Sequence, residues 1–443
     1  MKKVYLETFG CQMNVSDSER ISTTLARDGF EMTSSDTDAD VVIINTCSVR
    51  EKAEHKLYSR IGRLRKKAAK KMPVVGVMGC VAQLEGEMLF DKIEGVDFVL
   101  GTRAVGRVSA AVKETLRTGD QVLDVGERED EYDWTVADTH RHSPYVAFLP
   151  IIEGCNKFCT YCIVPFSRGR EKSFEPSQIV RQVAELKEKG VREVHLIGQN
   201  VNSYKPDTNV GLEGFEGKSA FTKLLRAVAA TGIERVKFTA SFPRDFRSDI
   251  VDAIEENENL CNWVHLPVQS GSNRVLRMMK RGHTIEKYFE KIDRLRSSHR
   301  DIALTTDIIV GFPGETEADF RESVRMVEYC GFDMAYIFKY SPRPGTPAFE
   351  MEDDVSAAEK TVRFMELERA QKAMQTRRLQ RYLRTKRKVL VEGRSTRYDT
   401  GLTGHSTCHK VVNFEGSTDL LGQVVDVEIT DIKTNSLFGE IRG

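Results

Sequence analysis

Residues 153–162 read EGCNKFCTYC and carry three cysteines, Cys155, Cys159 and Cys162, four and three residues apart. They follow an apolar, strand-like run, and barrel enzymes place their chemistry where such strands end. Three cysteines at this spacing could pack on one helix face, but the glycine and asparagine among them favour a loop. A zinc site would need a distant fourth ligand. An iron–sulfur cluster is favoured, because soft thiolates select it and three of them leave one iron of a four-iron cube open.

The surrounding residues, 143–375, alternate strand-like and helical runs. Six strand-like runs occur between 145 and about 350, which is too few for a closed eight-stranded barrel. The pattern therefore predicts a partial (β/α)6 barrel, with its active side at the carboxyl ends of the strands.

A second cysteine triplet lies in residues 1–117, where strand and helix patterns also alternate and predict a parallel α/β domain. Cys11, Cys47 and Cys80 each end a strand-like run, in TFGC, INTC and VMGC. Because the carboxyl ends of parallel strands share one edge, the three thiols should converge as a second metal site. The alternative is three unrelated buried cysteines. Gly10 and Gly79 precede two of them and would let the backbone approach a cluster.

The rest of the chain predicts a linker and a third domain. Residues 118–142 are polar and acidic, as in a linker, and 356–385 form a long helical pattern. Short strands and turns follow 386, so residues 376–443 are predicted to form a small β-barrel. The fold class is therefore α/β, with an N-terminal parallel domain, a partial barrel and a C-terminal β-barrel.

Composition limits the classes of protein to which the chain could belong. The 443 residues include 66 basic and 66 acidic side chains, and no apolar run is long enough to cross a membrane. Without a secretion signal, a cytoplasmic protein with no membrane partner is expected. Nine cysteines are then better explained by metal binding than by disulfides. Cys261, Cys330 and Cys408 have no partner spacing and are interpreted as structural thiols.

Other polar and basic residues are candidates for binding. Polar side chains at the ends of the barrel strands are suited to holding a cofactor, although capping of the strand ends explains them equally well: Gln199, Asn200, Ser241, Gln269 and Asp307. Residues 60–71 and 369–388 are rich in lysine and arginine and contain no acid. The first could be a solvated helix face. The second leads into the β-barrel and suggests RNA docking.

These motifs resemble a known family. Cys-x3-Cys-x2-Cys after a first barrel strand, with Tyr161 before the last cysteine, resembles the radical S-adenosylmethionine superfamily. GFPGE at 311–315 is similar to its strand-five glycine motif. The three-domain order resembles the methylthiotransferases over essentially the whole chain. TFGCQMNVSDSE and EGCNKFCTYCIVPFSRGRE look most like the branch acting on isopentenyl-adenosine in transfer RNA, except that Phe174 stands where an arginine is expected.

The resemblance implies two [4Fe–4S] clusters and S-adenosylmethionine as cofactors. Cys155, Cys159 and Cys162 would hold the cluster that cleaves S-adenosylmethionine to a 5′-deoxyadenosyl radical. Cys11, Cys47 and Cys80 would hold an auxiliary cluster that carries the transferred sulfur. The C-terminal module would be an RNA-binding TRAM domain. The implied partners are a tRNA anticodon stem-loop and an electron donor, and a monomer is expected.

Two other functions stay open at this point. The same chemistry could act on threonylcarbamoyl-adenosine or on an aspartate of a ribosomal protein. A non-catalytic iron–sulfur sensor that binds RNA is a different class, although it would not need six barrel strands that end in polar groups.

Overall fold

The computed structural model describes residues 1–48, 51–67, 72–126, 140–395 and 401–441. The chain forms two compact units. The first comprises Met1–His142, Phe148–Asn156 and Cys162–Lys172, and the second comprises Ser143–Ala147, Lys157–Tyr161 and Ser173–Gly443. No helix in the described ranges is both long enough and apolar enough to span a membrane.

The first unit is built on a six-stranded parallel sheet, which confirms the predicted α/β domain. Its elements are β1 (Lys3–Thr8), α1 (Gln12–Arg27), β2 (Glu31–Thr33), β3 (Val41–Thr46), α2 (Glu51–Lys67), β4 (Val74–Gly79), α3 (Cys80–Glu85), α4 (Met88–Lys92), β5 (Phe98–Leu100), α5 (Val108–Thr118) and β6 (Val122–Asp124). The strand order is β2-β1-β3-β4-β5-β6. The prediction of a linker over 118–142 missed β6, and residues 127–139 of that segment lie outside the described part of the chain.

Central strand β3 shows why this sheet is buried on both faces. All six of its residues are buried, and alternate side chains enter two hydrophobic clusters. Val41 and Ile43 pack in one cluster, and Val42 and Ile44 pack in the other. A strand covered on both faces reads as a continuous apolar run, as VVII does here.

The middle of the chain supplies the barrel elements. These are β7 (Val146–Pro150), β8 (Ile152–Glu153), α6 (Val164–Arg168), β9 (Lys172–Ser173), α7 (Pro176–Glu188), β10 (Glu193–Ile197), α8 (Ala220–Ala230), β11 (Arg235–Phe238), α9 (Asp249–Glu256), β12 (Trp263–His265), α10 (Asn273–Met278), α11 (Ile285–Arg296), β13 (Ala303–Val310), α12 (Glu317–Cys330), β14 (Met334–Lys339) and α13 (Ala357–Leu379). Six strands form two three-stranded sheets, β11-β10-β7 and β12-β13-β14. A bridge between Val236 and Leu260 extends the first sheet toward β12. The predicted six-strand partial barrel is confirmed.

The C-terminal strands close into a separate small barrel, as predicted. They are β15 (Lys386–Arg394), β16 (Gly401–Ser406), β17 (Val411–Glu415), β18 (Val424–Ile432) and β19 (Ser436–Ile441), in the order β15-β16-β17-β19-β18. Leu379, the last residue of helix α13, and Tyr382, just beyond it, are buried in the hydrophobic core of this barrel. The long helix is thus anchored to the small barrel by its own last turn.

Candidate functional site

The second cysteine triplet lies at one edge of the N-terminal sheet. Cys47 follows β3 directly, Cys80 follows β4 directly, and Cys11 caps the N-terminus of α1 after β1. Strands β1, β3 and β4 are neighbours, and Thr46 on β3 pairs with Gly79 on β4. The Cys11 and Cys47 side chains are hydrogen-bonded to each other. The register of a parallel sheet therefore brings together thiols that are far apart in sequence.

Gly10 and Gly79 allow this convergence, although in a different way from the one predicted. Gly10 has φ +140°, and a Cβ there would lie 2.5 Å from Cβ of Cys47. Gly79 has φ +91°. A Cβ there would collide with the Asn45 side chain and would lie 2.5 Å from the Thr46 carbonyl oxygen. The glycines let the cysteine-bearing turns approach each other, rather than leaving room for a cluster beside the backbone.

Asn14 holds the same turns together. Its amide nitrogen donates to the Thr46 carbonyl at 2.9 Å and to the Asn45 side chain at 3.2 Å. Its Oδ1 accepts from the Cys11 thiol at 3.3 Å. The asparagine of GCQMN thus holds Cys11 against the end of β3. Its partners on β3 are distant in sequence, so this role could not be predicted from the motif.

A buried cation lies beside this triplet. The Arg168 guanidinium donates to Asp17 at 2.6 Å and to Glu153 at 3.1 Å, and it also hydrogen-bonds the Cys80 side chain. Burial opposes the charged form of Arg168, but the carboxylate of Asp17 and its other anionic neighbours hold its pKa well above the usual value. Arg168 can therefore balance negative charge that thiolates bring to the site.

The thiols themselves differ in their environment. The hydrogen bond to Cys47, aided by the charge of Arg168, lowers the pKa of Cys11 to about 6. Burial raises the pKa of Cys80, while Arg168 opposes that rise. Cys11 is exposed, whereas Cys47 and Cys80 are buried. The site thus has one readily ionised thiol at the surface and two thiols behind it.

The donor set of this triplet fits an iron–sulfur cluster, because three soft sulfur donors are the ligands that such a cluster selects. Within the described ranges, no three His, Cys, Asp or Glu side chains are arranged to hold one metal ion.

The first cysteine triplet lies on the loop between β8 and α6. Cys155 and Cys159 are buried, and Cys162 is half-buried. The Cys155 N–H donates to the Gly169 carbonyl at 3.1 Å. Gly154 before it has φ +76°, where a Cβ would collide with the Arg170 backbone. The EGC turn is therefore built for close backbone packing.

A second buried arginine contacts this loop. Arg281 donates to the Cys159 sulfur at 3.5 Å and to the Pro267 carbonyl at 2.6 Å. Its guanidinium lies over the Phe242 ring, 4.4 Å from the centroid. Sequence reasoning missed both Arg281 and Arg168. The quoted SRGRE segment contains Arg168, but nothing in the spacing of KRGHT marks Arg281.

Among the predicted cofactor residues, Gln199, Asn200 and Ser241 lie just beyond β10 and β11. The Val201 N–H donates to the Ala240 carbonyl at 3.1 Å, so these two strand ends are adjacent. Gln199 Oε1 and Ser241 Oγ are buried and have no hydrogen-bond partner in the described part of the chain. Such orphaned atoms are rare, and a bound polar cofactor would satisfy them.

Gln269 and Asp307 form a second group. Gln269 has φ +80°, and its N–H donates to the Asp307 carbonyl at 2.9 Å. The Asp307 carboxylate lies 3.6 Å from Nε2 of His265. The structure therefore brings the five residues together as two groups. The prediction that all five lie at strand ends is wrong for Asp307, which lies within β13 and pairs there with Tyr336 on β14.

GFPGE has a clear structural role. The Glu315 carboxylate accepts from the Gly311 N–H and from Arg363, both at 2.9 Å. A Cβ at Gly311 would collide with the stem of Lys360. The last residue of the motif thus hydrogen-bonds the first, and the motif packs against helix α13.

The remaining cysteines and Phe174 are packing residues. Cys261, Cys330 and Cys408 are buried, and burial raises the pKa of Cys261 to about 11. Phe174 is also buried, and its carbonyl accepts a hydrogen bond from Tyr204.

The basic segments are only partly available for RNA. In the segment 60–71, Arg60 is buried and paired with Glu7 and Asp36, so it is structural, and residues 68–71 lie outside the described ranges. In 369–388, Arg381 pairs with Asp301 and with buried Asp333. Five basic residues of the segment 369–388 are exposed and form no ion pair within the described part of the chain: Arg369, Arg377, Arg384, Lys386 and Lys388.

Comparison with known proteins supports this organisation. Family models match residues 3–101 (Uncharacterized protein family UPF0004), residues 149–327 (Radical SAM superfamily) and residues 380–441 (TRAM domain). The chain is similar to proteins named tRNA-2-methylthio-N(6)-dimethylallyladenosine synthase from Photobacterium profundum and Vibrio cholerae serotype O1. Each is 42% identical over 99% of this chain and 92% of the relative.

A solved structure shares the fold. The radical S-adenosylmethionine methyltransferase TsrM from Kitasatospora setae, with cobalamin and a [4Fe-4S] cluster bound, aligns with a TM-score of 0.56 at 15% identity. The alignment covers 79% of this chain and 77% of that one. At this identity the likeness concerns the fold alone.

Proposed function

The chain belongs to the family of tRNA-2-methylthio-N(6)-dimethylallyladenosine synthases, and on this premise we propose that it replaces the hydrogen on carbon two of isopentenyl-adenosine with a methylthio group. The target nucleotide lies beside the anticodon of a tRNA. The observation that carries the proposal is the convergence of Cys11, Cys47 and Cys80 in a chain that has a second cysteine triplet. Sulfur insertion at an unreactive carbon needs a radical source and a separate sulfur carrier, and two triplets provide for both.

In this proposal Cys155, Cys159 and Cys162 would hold one [4Fe–4S] cluster, and Cys11, Cys47 and Cys80 would hold the other. When bound, the first cluster and S-adenosylmethionine supply the radical that removes hydrogen from the base. Gln199, Asn200, Ser241, Gln269 and Asp307 would bind S-adenosylmethionine, and the unpaired buried oxygens of Gln199 and Ser241 support this. An electron donor, a monomeric state and a cytoplasmic location belong to the same proposal.

Two buried arginines support the chemistry from the protein side. Arg281 donates to the Cys159 sulfur, and Arg168 hydrogen-bonds Cys80. Hydrogen bonds to cluster sulfurs and nearby positive charge stabilise the more negative, reduced state. Each triplet is therefore paired with one guanidinium that favours electron acceptance.

The substrate choice follows from the chemistry of the side group. A base that reacts at a ring carbon must leave its stack and enter a pocket. An isopentenyl tail gains about 0.8 kcal/mol for each CH2 group that is buried. A threonylcarbamoyl group carries a carboxylate, whose burial would need a cationic partner. The name of the 42% identical relatives, tRNA-2-methylthio-N(6)-dimethylallyladenosine synthase, favours the first substrate.

The test is a competition between anticodon stem-loops that carry isopentenyl-adenosine, threonylcarbamoyl-adenosine or plain adenosine. The reconstituted, reduced protein should convert the first to its methylthio derivative at a rate well above the others. Preference for the second would move the chain to a sibling substrate. Failure of S-adenosylmethionine to give any 5′-deoxyadenosine would favour the RNA-binding iron–sulfur sensor.

A further inference from the structure

A pocket in the second unit is lined by none of the five predicted cofactor residues. It has a volume of 440 Å³ and is formed where α10 ends and α11 begins. Its lining includes Arg277, Lys280, His283, Thr284 and Lys287. The three basic side chains are exposed, and no ion pair is recorded for any of them within the described ranges. The Glu286 carboxylate, which accepts from the Asn273 side chain, lies at the same helix start, and the three cations outnumber it. A concave site with this excess of positive charge suits an anion.

His283 gives an independent indication that this pocket takes a ligand. The residue is 9% exposed, and its Nε2 is buried with no hydrogen-bond partner in the described part of the chain. Buried polar atoms in folded proteins nearly always have a partner, so an unpaired atom on a residue that lines a pocket indicates a ligand.

The protonation of His283 defines what that partner must be. Its Nδ1 lies 3.2 Å from the Arg281 carbonyl, which can only accept, so Nδ1 carries the proton. Burial and the charge of Arg281 lower the pKa of His283 to about 4, which keeps the ring neutral at pH 7. Nε2 is therefore an acceptor, and it needs a ligand that donates, such as a hydroxyl group.

Two N–H groups at the start of α11 are already satisfied. The Ile285 N–H donates to Asn273, and the Lys287 N–H donates to the Thr284 hydroxyl. The side chains that line the pocket are therefore the ligand contacts of interest, and they include three cations and the His283 acceptor.

We propose that this pocket binds one nucleotide of the RNA backbone, with Arg277, Lys280 and Lys287 contacting its phosphate and Nε2 of His283 accepting a hydrogen bond from its ribose 2′-hydroxyl. The 2′-hydroxyl distinguishes RNA from DNA, and phosphate contacts dominate affinity for nucleic acid. The inference rests on the proposed function, because it takes RNA to be the substrate.

The pocket is well placed for such a role. Arg281, between Lys280 and His283 in the chain, donates to the Cys159 sulfur at 3.5 Å. The segment 280–284 thus contacts the cysteine loop through Arg281 and lines the pocket through its neighbours. A nucleotide held there lies beside the loop that would carry the radical-generating cluster.

The phosphate contact is tested by the salt dependence of binding. The double variant R277Q/K287Q is compared with wild type for affinity toward an anticodon stem-loop that carries isopentenyl-adenosine. Loss of one neutralised phosphate lowers the slope of log K against log salt by about 0.7 to 0.9, so the slope should fall by about 0.8. R181Q/R325Q neutralises two exposed arginines on α7 and α12 and should keep the wild-type slope. A wild-type slope in R277Q/K287Q would overturn the phosphate contact.

The 2′-hydroxyl contact is tested with stem-loops that carry single 2′-deoxy substitutions. At one position of the loop, wild type should bind the deoxy form about fivefold more weakly, as expected for one net hydrogen bond. H283F keeps an aromatic ring but loses the acceptor, so it should bind both forms of that stem-loop equally. If no position distinguishes wild type from H283F, the ribose contact is wrong. Circular dichroism and iron content establish that each variant is folded and loaded.

Two further outcomes separate this inference from the proposed function. Binding of inorganic phosphate that is lost in R277Q/K287Q, with RNA binding unchanged, would assign the pocket to a small anion and overturn the proposal. Wild-type protein that shows the predicted binding changes but makes no methylthio product would support the pocket and contradict the proposed function.

Discussion

The Arg168 guanidinium lies 2.6 Å from the Asp17 carboxylate, and both side chains are almost completely buried. The same guanidinium lies 3.1 Å from Glu153. Asp17 belongs to helix α1, which begins directly after Cys11, whereas Arg168 ends helix α6, which follows Cys162. This ion pair therefore joins the helix that begins after Cys11 of one triplet to the helix that follows Cys162 of the other.

Replacing Arg168 with glutamine should destabilise the cluster-free protein. Removing one partner of a buried pair leaves an uncompensated charge, and the free energy of unfolding should fall by about 3–5 kcal/mol. Denaturant unfolding measures the change. The control is R117Q, which breaks the exposed pair of Arg117 with Glu114 and should cost at most about 1 kcal/mol. D17N/R168Q should recover part of the loss, and an equal loss in both variants would contradict a charge-based explanation.

Glu19 predicts a specific pH dependence of stability. Burial is the main influence that raises the pKa of Glu19 to about 7, although the His142 N–H donates to its carboxylate. Between about pH 4.5 and pH 7 the folded state binds more protons than the unfolded state, so stability falls as the pH rises through that window. The loss is about 3 kcal/mol, at 1.36 kcal/mol for each pKa unit.

The E19Q variant removes this titration. Its free energy of unfolding, compared with wild type at pH 5 and pH 8, should lack the contribution of Glu19. The same difference between pH 5 and pH 8 in both proteins would show that Glu19 has an ordinary pKa in the folded state.

The basic segment before the C-terminal barrel predicts two distinct effects. Neutralising the exposed Arg377, Arg384, Lys386 and Lys388 should weaken RNA binding and flatten its salt dependence, because each can contact a phosphate. R381Q should instead lower thermal stability, since it leaves buried Asp333 with fewer partners. Filter binding across a salt series and thermal unfolding separate the two. A large loss of stability in the fourfold variant would show that these side chains are structural.

The sequence predicted those features that depend on regular repetition. Cys11, Cys47 and Cys80 follow strands of a parallel sheet, and the geometry of such a sheet requires their convergence. The six barrel strands and the five-stranded C-terminal barrel follow from periodicity and turn residues in the same way. Strand β6 was missed because VLD is short and lies within a polar, acidic stretch.

Contacts between segments far apart in the chain could not be predicted. Arg168 and Arg281 carry no spacing signal, and each acquires its role only when the fold places it beside a cysteine. The same limit explains Arg60 and Arg381, which a charge count assigns to solvent or RNA. In the folded chain they pair with Glu7, Asp36, Asp301 and Asp333, residues that are distant in sequence.

The central claim is that each cysteine triplet holds its own cluster and that only the N-terminal one carries sulfur. The most direct measurement compares iron content, 5′-deoxyadenosine and methylthio product in C11A/C47A/C80A and C155A/C159A/C162A after anaerobic reconstitution. We expect each variant to bind about half of the wild-type iron, as for one of two clusters. C11A/C47A/C80A should still form 5′-deoxyadenosine without methylthio product, and C155A/C159A/C162A should form neither. Loss of all iron in both variants, or methylthio product from C11A/C47A/C80A, would contradict the account.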